Sequence, residues 1–211
     1  RSSPWRRKII KGKGEELSDL EEEVAKILYD YEMQAKDAKL KENLALIHVS
    51  AAEEFSVTQR NDEKQTCILI RIPYRCLSPF KKVRANVTAA LEKKLNAFVF
   101  VVAVRKIWPK YKPKTKARRP RNRTLTAVHE KLLEDVCLPA NISGKQTRLH
   151  VDGTRTLKIF LDYLDKSKVE DRLDAMAECY RKLTHKRVNF NFSKPTTFQK
   201  EYEEFKKRKG Q

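Results

Sequence analysis

The chain has 211 residues, of which 47 are Lys or Arg and 28 are Asp or Glu, so that its formal net charge is +19. It contains no run of about 18 apolar residues and no apolar core near its start, which excludes a transmembrane helix and gives no sign of export. Such a cationic excess is typical of proteins that bind polyphosphates, because each cation near a phosphate chain releases a condensed counterion.

The first half of the chain predicts the element order α-β-β-α-β. Helices are expected over 15–34 and 78–96, where apolar residues recur at three- and four-residue steps, and a short helical turn is expected around 39–46. Strands are expected over three others: 47–58, 66–72 and 98–104. A turn is expected at 60–63 between the first two strands. The third strand is continuously apolar and rich in β-branched residues, which favours a central strand buried on both faces.

Residues 105–123 interrupt this pattern. They contain ten Lys or Arg, no acidic residue, and three prolines at Pro109, Pro113 and Pro120. Such a segment cannot continue a helix or bury apolar surface. We therefore expect a basic arm that extends from the folded body and has no stable shape until it binds a polyanion.

The second half predicts the order α-β-hairpin-α-β. Helices are expected over 124–136 and 168–183. Strands are expected over three segments, of which the last alternates apolar and polar residues and is expected to be half-exposed: 146–151, 155–162 and 188–192. The pair Asp152-Gly153 is a strong hairpin signal between the first two. No internal repeat is evident in the sequence, and the expected fold class is mixed α/β (α+β), a sheet with packed helices.

These changes in composition divide the chain into five segments. The expected segments are a basic N-terminal lead over 1–14, an α/β lobe over 15–104, the basic arm over 105–123, a second α/β lobe with the hairpin over 124–192, and a polar C-terminal tail over 193–211. The second lobe is expected to pack with the first.

Motifs of catalysis and metal binding are incomplete. The four cysteines contain no CxxC pair, which argues against a zinc site and predicts reduced, partly buried thiols: Cys67, Cys76, Cys137 and Cys179. His129-Glu130 begins like a zinc-protease helix, but Leu133 stands where the second histidine belongs. Gly144-Lys145 lacks the earlier glycine and the following Ser or Thr of a phosphate-binding loop. We expect no enzyme, no cofactor and no metal; spacing does not test whether distant carboxylates converge.

The basic arm is the strongest candidate for function. Its cations are the expected phosphate contacts: Arg105, Lys106, Lys110, Lys112, Lys114, Lys116, Arg118, Arg119, Arg121 and Arg123. Trp108 and Tyr111 lie among them and are candidates to stack on an unpaired base. A second basic cluster consists of Lys182, Lys186 and Arg187. The alternatives for the arm are a solvated linker and a nuclear-import signal.

The sequence distinguishes among DNA, RNA and an anionic membrane as the bound polyanion, because it lacks the motifs typical of some of their binding proteins. No predicted helix is dense in the Arg, Asn and Gln of a DNA recognition helix, and the aromatic sheet signature of an RNA-recognition motif is absent. An anionic membrane surface would attract the same charge, but no membrane partner is expected. Shape-and-phosphate binding to structured RNA fits the composition best.

Four stretches carry a resemblance to a known family: Arg119 to His129 (RPRNRTLTAVH), Val151 to Arg155 with Lys158, Tyr180 to Thr184 followed by Val188 to Phe192, and Leu91 to Lys94. Together they resemble the eukaryote-specific small-subunit ribosomal protein seven family, in the same order from about residue 15 to residue 192. That family typically has Gly at the position of His185, and this departure leaves open whether the left-handed helix cap carries over.

The resemblance implies a structural constituent of the small (40S-type) cytoplasmic ribosomal subunit. It implies binding of small-subunit rRNA through basic extensions, above all Arg118, Arg119, Arg121 and Arg123, together with support of subunit assembly and rRNA maturation. The implied partners are that rRNA, neighbouring small-subunit ribosomal proteins and assembly factors, without homo-oligomers. The implied location is the cytoplasm, with assembly in the nucleolus. The alternative is a non-ribosomal RNA-binding chaperone.

Overall fold

The computed structural model describes residues 3–12, 16–58, 64–110 and 119–194. The chain divides into two compact units, Arg1–Val136 and Cys137–Gln211, and each contains one three-stranded sheet with helices. The mixed α/β class is confirmed, with the strands shared between two sheets. The division falls after the helix that follows the arm, so this helix belongs with the first unit.

The first unit contains four helices and three strands among the described residues. The helices are α1 (Asp19–Gln34), α2 (Ala38–Ala45), α3 (Leu77–Leu95) and α4 (Leu125–Cys137). The strands are β1 (Ala51–Thr58), β2 (Lys64–Pro73) and β3 (Phe98–Val104). The turn expected at 60–63 lies outside the described residues. The element order expected for this half is confirmed except at α2, which is a separate helix where the sequence predicted only a short helical turn.

Strand β3 lies at an edge of its sheet, not at the centre. The strand order is β1-β2-β3, with β1 antiparallel to β2 and β3 parallel to β2 through the α3 crossover. The expected burial of β3 is confirmed, but its expected central position is wrong. Side-chain carboxylates satisfy donors along this edge: the Ala103 N–H donates to Asp135 over 3.2 Å and the Val99 N–H donates to Glu92 over 3.5 Å.

The core of the first unit forms where α1 and α3 cover one face of the sheet. It includes Val24, Ile27 and Leu28 of α1, Phe80, Val83, Val87 and Leu91 of α3, and Ile68, Ile70, Val99 and Val101 of the strands. On the opposite face Leu69, Phe100 and Val102 are buried as well. Burial on both faces explains why β3 reads as an unbroken apolar run in the sequence.

The N-terminal lead contributes to the first unit. Its short 3-10 turn, Pro4–Lys8, is followed by a parallel bridge between Ile9 and Val49. The ammonium of Lys8 is almost fully buried, donates to the Leu44 carbonyl over 2.7 Å and lies 2.7 Å from a carboxylate oxygen of Glu32. Part of the lead's positive charge is therefore neutralised within the protein.

A second cation of the lead pairs with a buried carboxylate at the start of α1. Glu21 receives a hydrogen bond from the Ser18 N–H over 3.0 Å and lies 2.6 Å from the Lys11 ammonium. Burial by itself would raise the pKa of Glu21, but the hydrogen bonds from Lys11 and Ser18 and the charge of Lys11 outweigh it, so the pKa is lowered. The carboxylate that begins α1 thus stays ionised and ties the lead to the helix.

The second unit repeats the strand arrangement of the first. Its elements are β4 (Ile142–Leu149), β5 (Arg155–Leu161), α5 (Lys166–Val169), α6 (Leu173–Thr184) and β6 (Arg187–Phe192). Strands β4 and β5 form an antiparallel hairpin, and β6 is parallel to β5 through the α6 crossover. The expected hairpin is confirmed, with Gly153 at φ 76° in its turn. The sequence did not reveal this repeated topology.

Helix α6 covers one face of the second sheet. Its buried residues Met176, Cys179 and Tyr180 lie on the side of the helix that faces the apolar sheet residues Ile159 and Val188. The single helix expected over 168–183 is instead α5, a 3-10 turn at Glu170–Arg172 and α6. The alternation predicted for the last strand is confirmed by the burial of every second residue of β6.

The four cysteines are free, as predicted, and all four are buried rather than partly buried. Burial raises the pKa of the Cys67 thiol to about 11. This thiol is therefore protonated and a poor nucleophile at neutral pH.

A left-handed residue ends α6 although it is not glycine. His185 has φ 57°, and its N–H donates to the Arg181 carbonyl over 2.7 Å. The cap geometry that the family builds with glycine is thus present here with histidine. A side chain with a Cβ is strained in this region of backbone space, whereas glycine is not.

We predict that His185→Gly stabilises the protein by about 1 kcal/mol, the strain released less the entropy that glycine adds to the unfolded chain. The matched control is Asn96→Gly at the end of α3, where Asn96 also has a positive φ of 46°. Because asparagine tolerates this conformation, the control should gain less. Urea unfolding of the three proteins measures both effects. A loss of stability in His185→Gly, or equal gains at both sites, contradicts this account.

Candidate nucleic-acid interface

The described part of the basic arm comprises residues 105–110 and 119–123. Five of the predicted site residues lie outside the described residues: Tyr111, Lys112, Lys114, Lys116 and Arg118. The other predicted cations of the arm are placed by the structure and fall into two groups. One cation is used within the protein, and the rest lie at or near the surface.

Arg105 anchors the start of the arm. Its guanidinium forms an ion pair with Asp135 of α4 and donates to the Ala103 carbonyl over 3.2 Å. The Arg105 side chain is 10% exposed and that of Asp135 is 5% exposed. The same carboxylate accepts the Ala103 N–H of β3. Arg105 therefore fixes the point at which the arm leaves the sheet, and its charge is already neutralised.

The two described ends of the arm meet near Trp108. The Trp108 N–H donates to the Arg123 carbonyl over 3.0 Å, and Arg119 donates to the Trp108 carbonyl over 3.3 Å. The Arg123 guanidinium lies over the Trp108 ring, 5.4 Å from its centroid, as in a cation–π contact. These ends are structured, whereas the sequence predicted a segment without shape of its own. Stacking of Trp108 on a base stays a prediction.

The end of the arm also builds the start of α4. Residues Arg121–Arg123 form a 3-10 turn, and Thr124 then accepts the Ala127 N–H over 3.3 Å as a helix cap. The Thr124 hydroxyl donates to the Arg121 carbonyl over 2.9 Å. The run from Arg119 onward therefore fixes the arm's second end as well as carrying its arginines.

The remaining described cations of the arm lie at or near the surface. Arg119 is half-buried, and the other four are exposed: Lys106, Lys110, Arg121 and Arg123. Within the described residues, none of these five forms an ion pair with a carboxylate, in contrast to Arg105. Their charge is therefore available to an external anion, and bidentate guanidinium groups suit phosphate oxygens.

The second predicted cluster lies in the other unit. Lys182 is near the end of α6, Lys186 follows the left-handed His185, and Arg187 begins β6. All three side chains are exposed. The turn at His185 thus gathers these cations at one end of the second sheet. Their contact with RNA stays a prediction.

The part of the chain that the structure describes contains neither a metal-binding cluster nor a membrane-spanning helix. There, no group of three or more His, Cys, Asp or Glu side chains is arranged to hold a metal ion. No helix in the same ranges combines the length and apolar character needed to cross a membrane.

Known proteins resemble this chain along the whole fold. The sequence profile of the family described as Ribosomal protein S7e matches residues 8–192, from the buried Lys8 to the last residue of β6. The chain is 39% identical over 186 residues to "Small ribosomal subunit protein eS7z" of Arabidopsis thaliana, covering 88% of this chain and 94% of that one. Proteins named "Small ribosomal subunit protein eS7" are 37% identical in Schizosaccharomyces pombe, covering 88% and 93%, and 35% identical in Drosophila melanogaster, covering 88% and 94%.

We predict that Asp135→Ala destabilises the protein by about 3–5 kcal/mol, because it leaves the guanidinium of Arg105 buried without its partner. The adjacent Glu134→Ala is the matched control, since Glu134 forms an exposed pair with Lys131 over 2.7 Å. Loss of an exposed pair costs at most about 1 kcal/mol. Urea unfolding measures both variants, and similar losses in the two would contradict a structural role for Asp135.

Proposed function

Because the chain belongs to the Ribosomal protein S7e family, we propose that it binds small-subunit rRNA through its basic arm and supports subunit assembly and rRNA maturation. As a member of that family it is a structural, non-enzymatic constituent of the small ribosomal subunit. Its immediate surroundings are accordingly rRNA and other ribosomal proteins, on ribosomes in the cytoplasm. The proposal adds assembly in the nucleolus and contacts with assembly factors.

The observation that carries the proposal is the set of cations without carboxylate partners among the described residues of the arm. Lys106, Lys110, Arg121 and Arg123 are exposed, whereas Lys8, Lys11 and Arg105 pair with acidic residues. Unpaired cations held close together repel one another, so their concentration on one segment favours a polyanionic partner. Four further cations of the proposed site, at 112, 114, 116 and 118, belong to the same segment.

The contacts of Trp108 with Arg119 and Arg123 join the two ends of the arm, and we call them the closed base of the arm. This closed base supports binding because it limits the entropy that the arm loses on association. The hydrogen bonds at Trp108 and the ion pair of Arg105 hold both ends of the arm before any partner arrives. Ordering a segment whose ends are already fixed costs less than ordering a free chain. In the proposal, Arg119, Arg121 and Arg123 contact phosphates, and Arg105 positions them.

We predict that the triple variant Lys106→Ala, Lys110→Ala and Arg121→Ala weakens binding to in vitro transcribed small-subunit rRNA. If each cation contacts one phosphate, the negative slope of log K against log salt should decrease in magnitude by about 0.7–0.9 per contact, about 2–3 in total. These three side chains are chosen because they are exposed. Filter binding over a salt series measures the slope.

The matched control removes three cations that have acidic partners: Lys94→Ala, Lys131→Ala and Lys166→Ala, paired with Asp30, Glu134 and Glu170. It changes the net charge equally, and its slope should stay near that of the unmodified protein. Equal slopes for both triple variants would contradict a role for the arm.

Sedimentation of the tagged protein from cells separates the ribosomal function from that of a free RNA chaperone. The unmodified protein should travel with small subunits, and the arm variant should shift to light fractions. Unmodified protein confined to light fractions would support the chaperone instead.

A further inference from the structure

We propose that the outer face of the second sheet is a separate RNA-binding surface, which takes an unpaired stretch of RNA and stacks one base on Phe160. The choice of RNA as the polymer rests on the proposed function. The surface itself is argued from the strand register, the exposure and the charge of the second unit. It does not depend on the arm.

The register of the second sheet brings nine residues to one face. Directly paired residues of neighbouring strands point to the same side of a sheet. Three rows across β4, β5 and β6 follow: Gly144, Phe160 and Asn191; Gln146, Lys158 and Asn189; Arg148, Thr156 and Arg187. Successive rows lie about 7 Å apart along the strands. We call these nine residues the outer sheet face.

The opposite face of the same sheet forms the core of the second unit. Ile159, Leu161, Val188 and Phe190 alternate with the outer residues and are buried. Helix α6 packs on that side with Met176 and other buried residues. The outer sheet face has no such cover from the described helices of its unit: five of its residues are exposed and the other four are partly exposed.

The charge of the outer sheet face selects a polyanion. It carries Arg148, Lys158 and Arg187, one in each strand, and no acidic residue. Within the described residues, none of these cations forms an ion pair. The centre of a protein–protein interface is depleted of charged residues and enriched in apolar ones. A face with three cations, three amides and one aromatic ring instead fits a nucleic-acid strand.

Phe160 supplies the base-stacking element. It lies on the central strand and is partly exposed, although every other residue of the outer sheet face is polar or glycine. Its cross-strand neighbour Gly144 leaves the ring open: a Cβ at this position would lie 3.6 Å from Cδ2 of the ring. An open aromatic ring accepts any base, and the cation Lys158 lies in the next row; such stacking contributes about 1–3 kcal/mol per base.

The amides of the outer sheet face favour unpaired over duplex RNA. Gln146, Asn189 and Asn191 each offer both donors and acceptors to exposed base edges. In an A-form duplex those edges are engaged in pairing, and the ring of Phe160 has no free base face to meet. Arg187, which the sequence predicted as part of a basic cluster, also belongs to this face. It pairs with Thr156, which places it on the same side of the sheet as Arg148 and Lys158.

The test uses the full chain and a polyuridine RNA of about ten nucleotides carrying 4-thiouridine, a length within the range of single-stranded sites. Ultraviolet cross-linking followed by mass spectrometry should place a cross-link within β5 at Phe160. Phe160→Leu keeps an apolar side chain but removes the ring, and affinity should fall about 5- to 100-fold with an unchanged salt slope. Arg148→Gln and Arg187→Gln should each decrease the magnitude of the slope of log K against log salt by about 0.7.

Two further variants keep the test independent of folding and of RNA contacts elsewhere. Gly144→Leu retains Phe160 but covers its ring, and should weaken binding as Phe160→Leu does. Phe55→Leu is the matched control, because Phe55 is a partly exposed phenylalanine on a strand of the other unit. It should bind as the unmodified protein does.

The proposal is overturned if Phe160→Leu and Gly144→Leu bind polyuridine like the unmodified protein. It is equally overturned if cross-linking of intact small subunits joins the outer sheet face to protein alone. The arm variant separates the two RNA proposals, since the cross-link at Phe160 should persist in it. If the arm variant and its control have equal salt slopes while the cross-link at Phe160 is present, only the proposed arm function is overturned. If the arm variant lowers the magnitude of the slope but no cross-link forms at Phe160, only the proposed sheet surface is overturned.

Discussion

The carboxylate of Asp135 is the contact on which the arrangement of the first unit and its arm depends. It satisfies a backbone donor at the open edge of β3 and neutralises Arg105 where the arm begins. Asp135 therefore contacts both the edge of the sheet and the first residue of the arm. Its helix, α4, begins directly after the last residue of the arm, so the two ends of the arm are held by the same helix. A buried guanidinium that pairs with a carboxylate and donates to the Ala103 carbonyl positions the chain, and this pairing offsets the cost of burying its charge.

The structure separates cations that fold the protein from cations that remain for a partner. Lys8, Lys11 and Arg105 pair with Glu32, Glu21 and Asp135, whereas the exposed cations of the arm and the cations of the outer sheet face form no ion pair within the described residues. Net charge alone does not make this distinction. Among the described residues, these unpaired cations lie where an anion can reach them, which is the arrangement expected of a ribosomal protein.

Local patterns in the sequence predicted most elements, and long-range relations were missed. The apolar run of β3 was placed at its observed bounds because burial on both faces leaves a continuous signal. Three features were missed because they depend on strand order and register, which local patterns do not carry. They are the edge position of β3, the pairing of Arg105 with Asp135 thirty residues later, and the rows around Phe160. The only sequence signal for Asp135 is an acidic residue beside the buried Val136 of an amphipathic helix.

An RNA–protein cross-link map of small subunits purified from cells tests the central claim most directly, namely that the arm's unpaired cations face rRNA. The account predicts rRNA cross-links within residues 106–123, on both sides of the closed base at Trp108. Cross-links from this segment to neighbouring proteins alone, with none to rRNA, would contradict it.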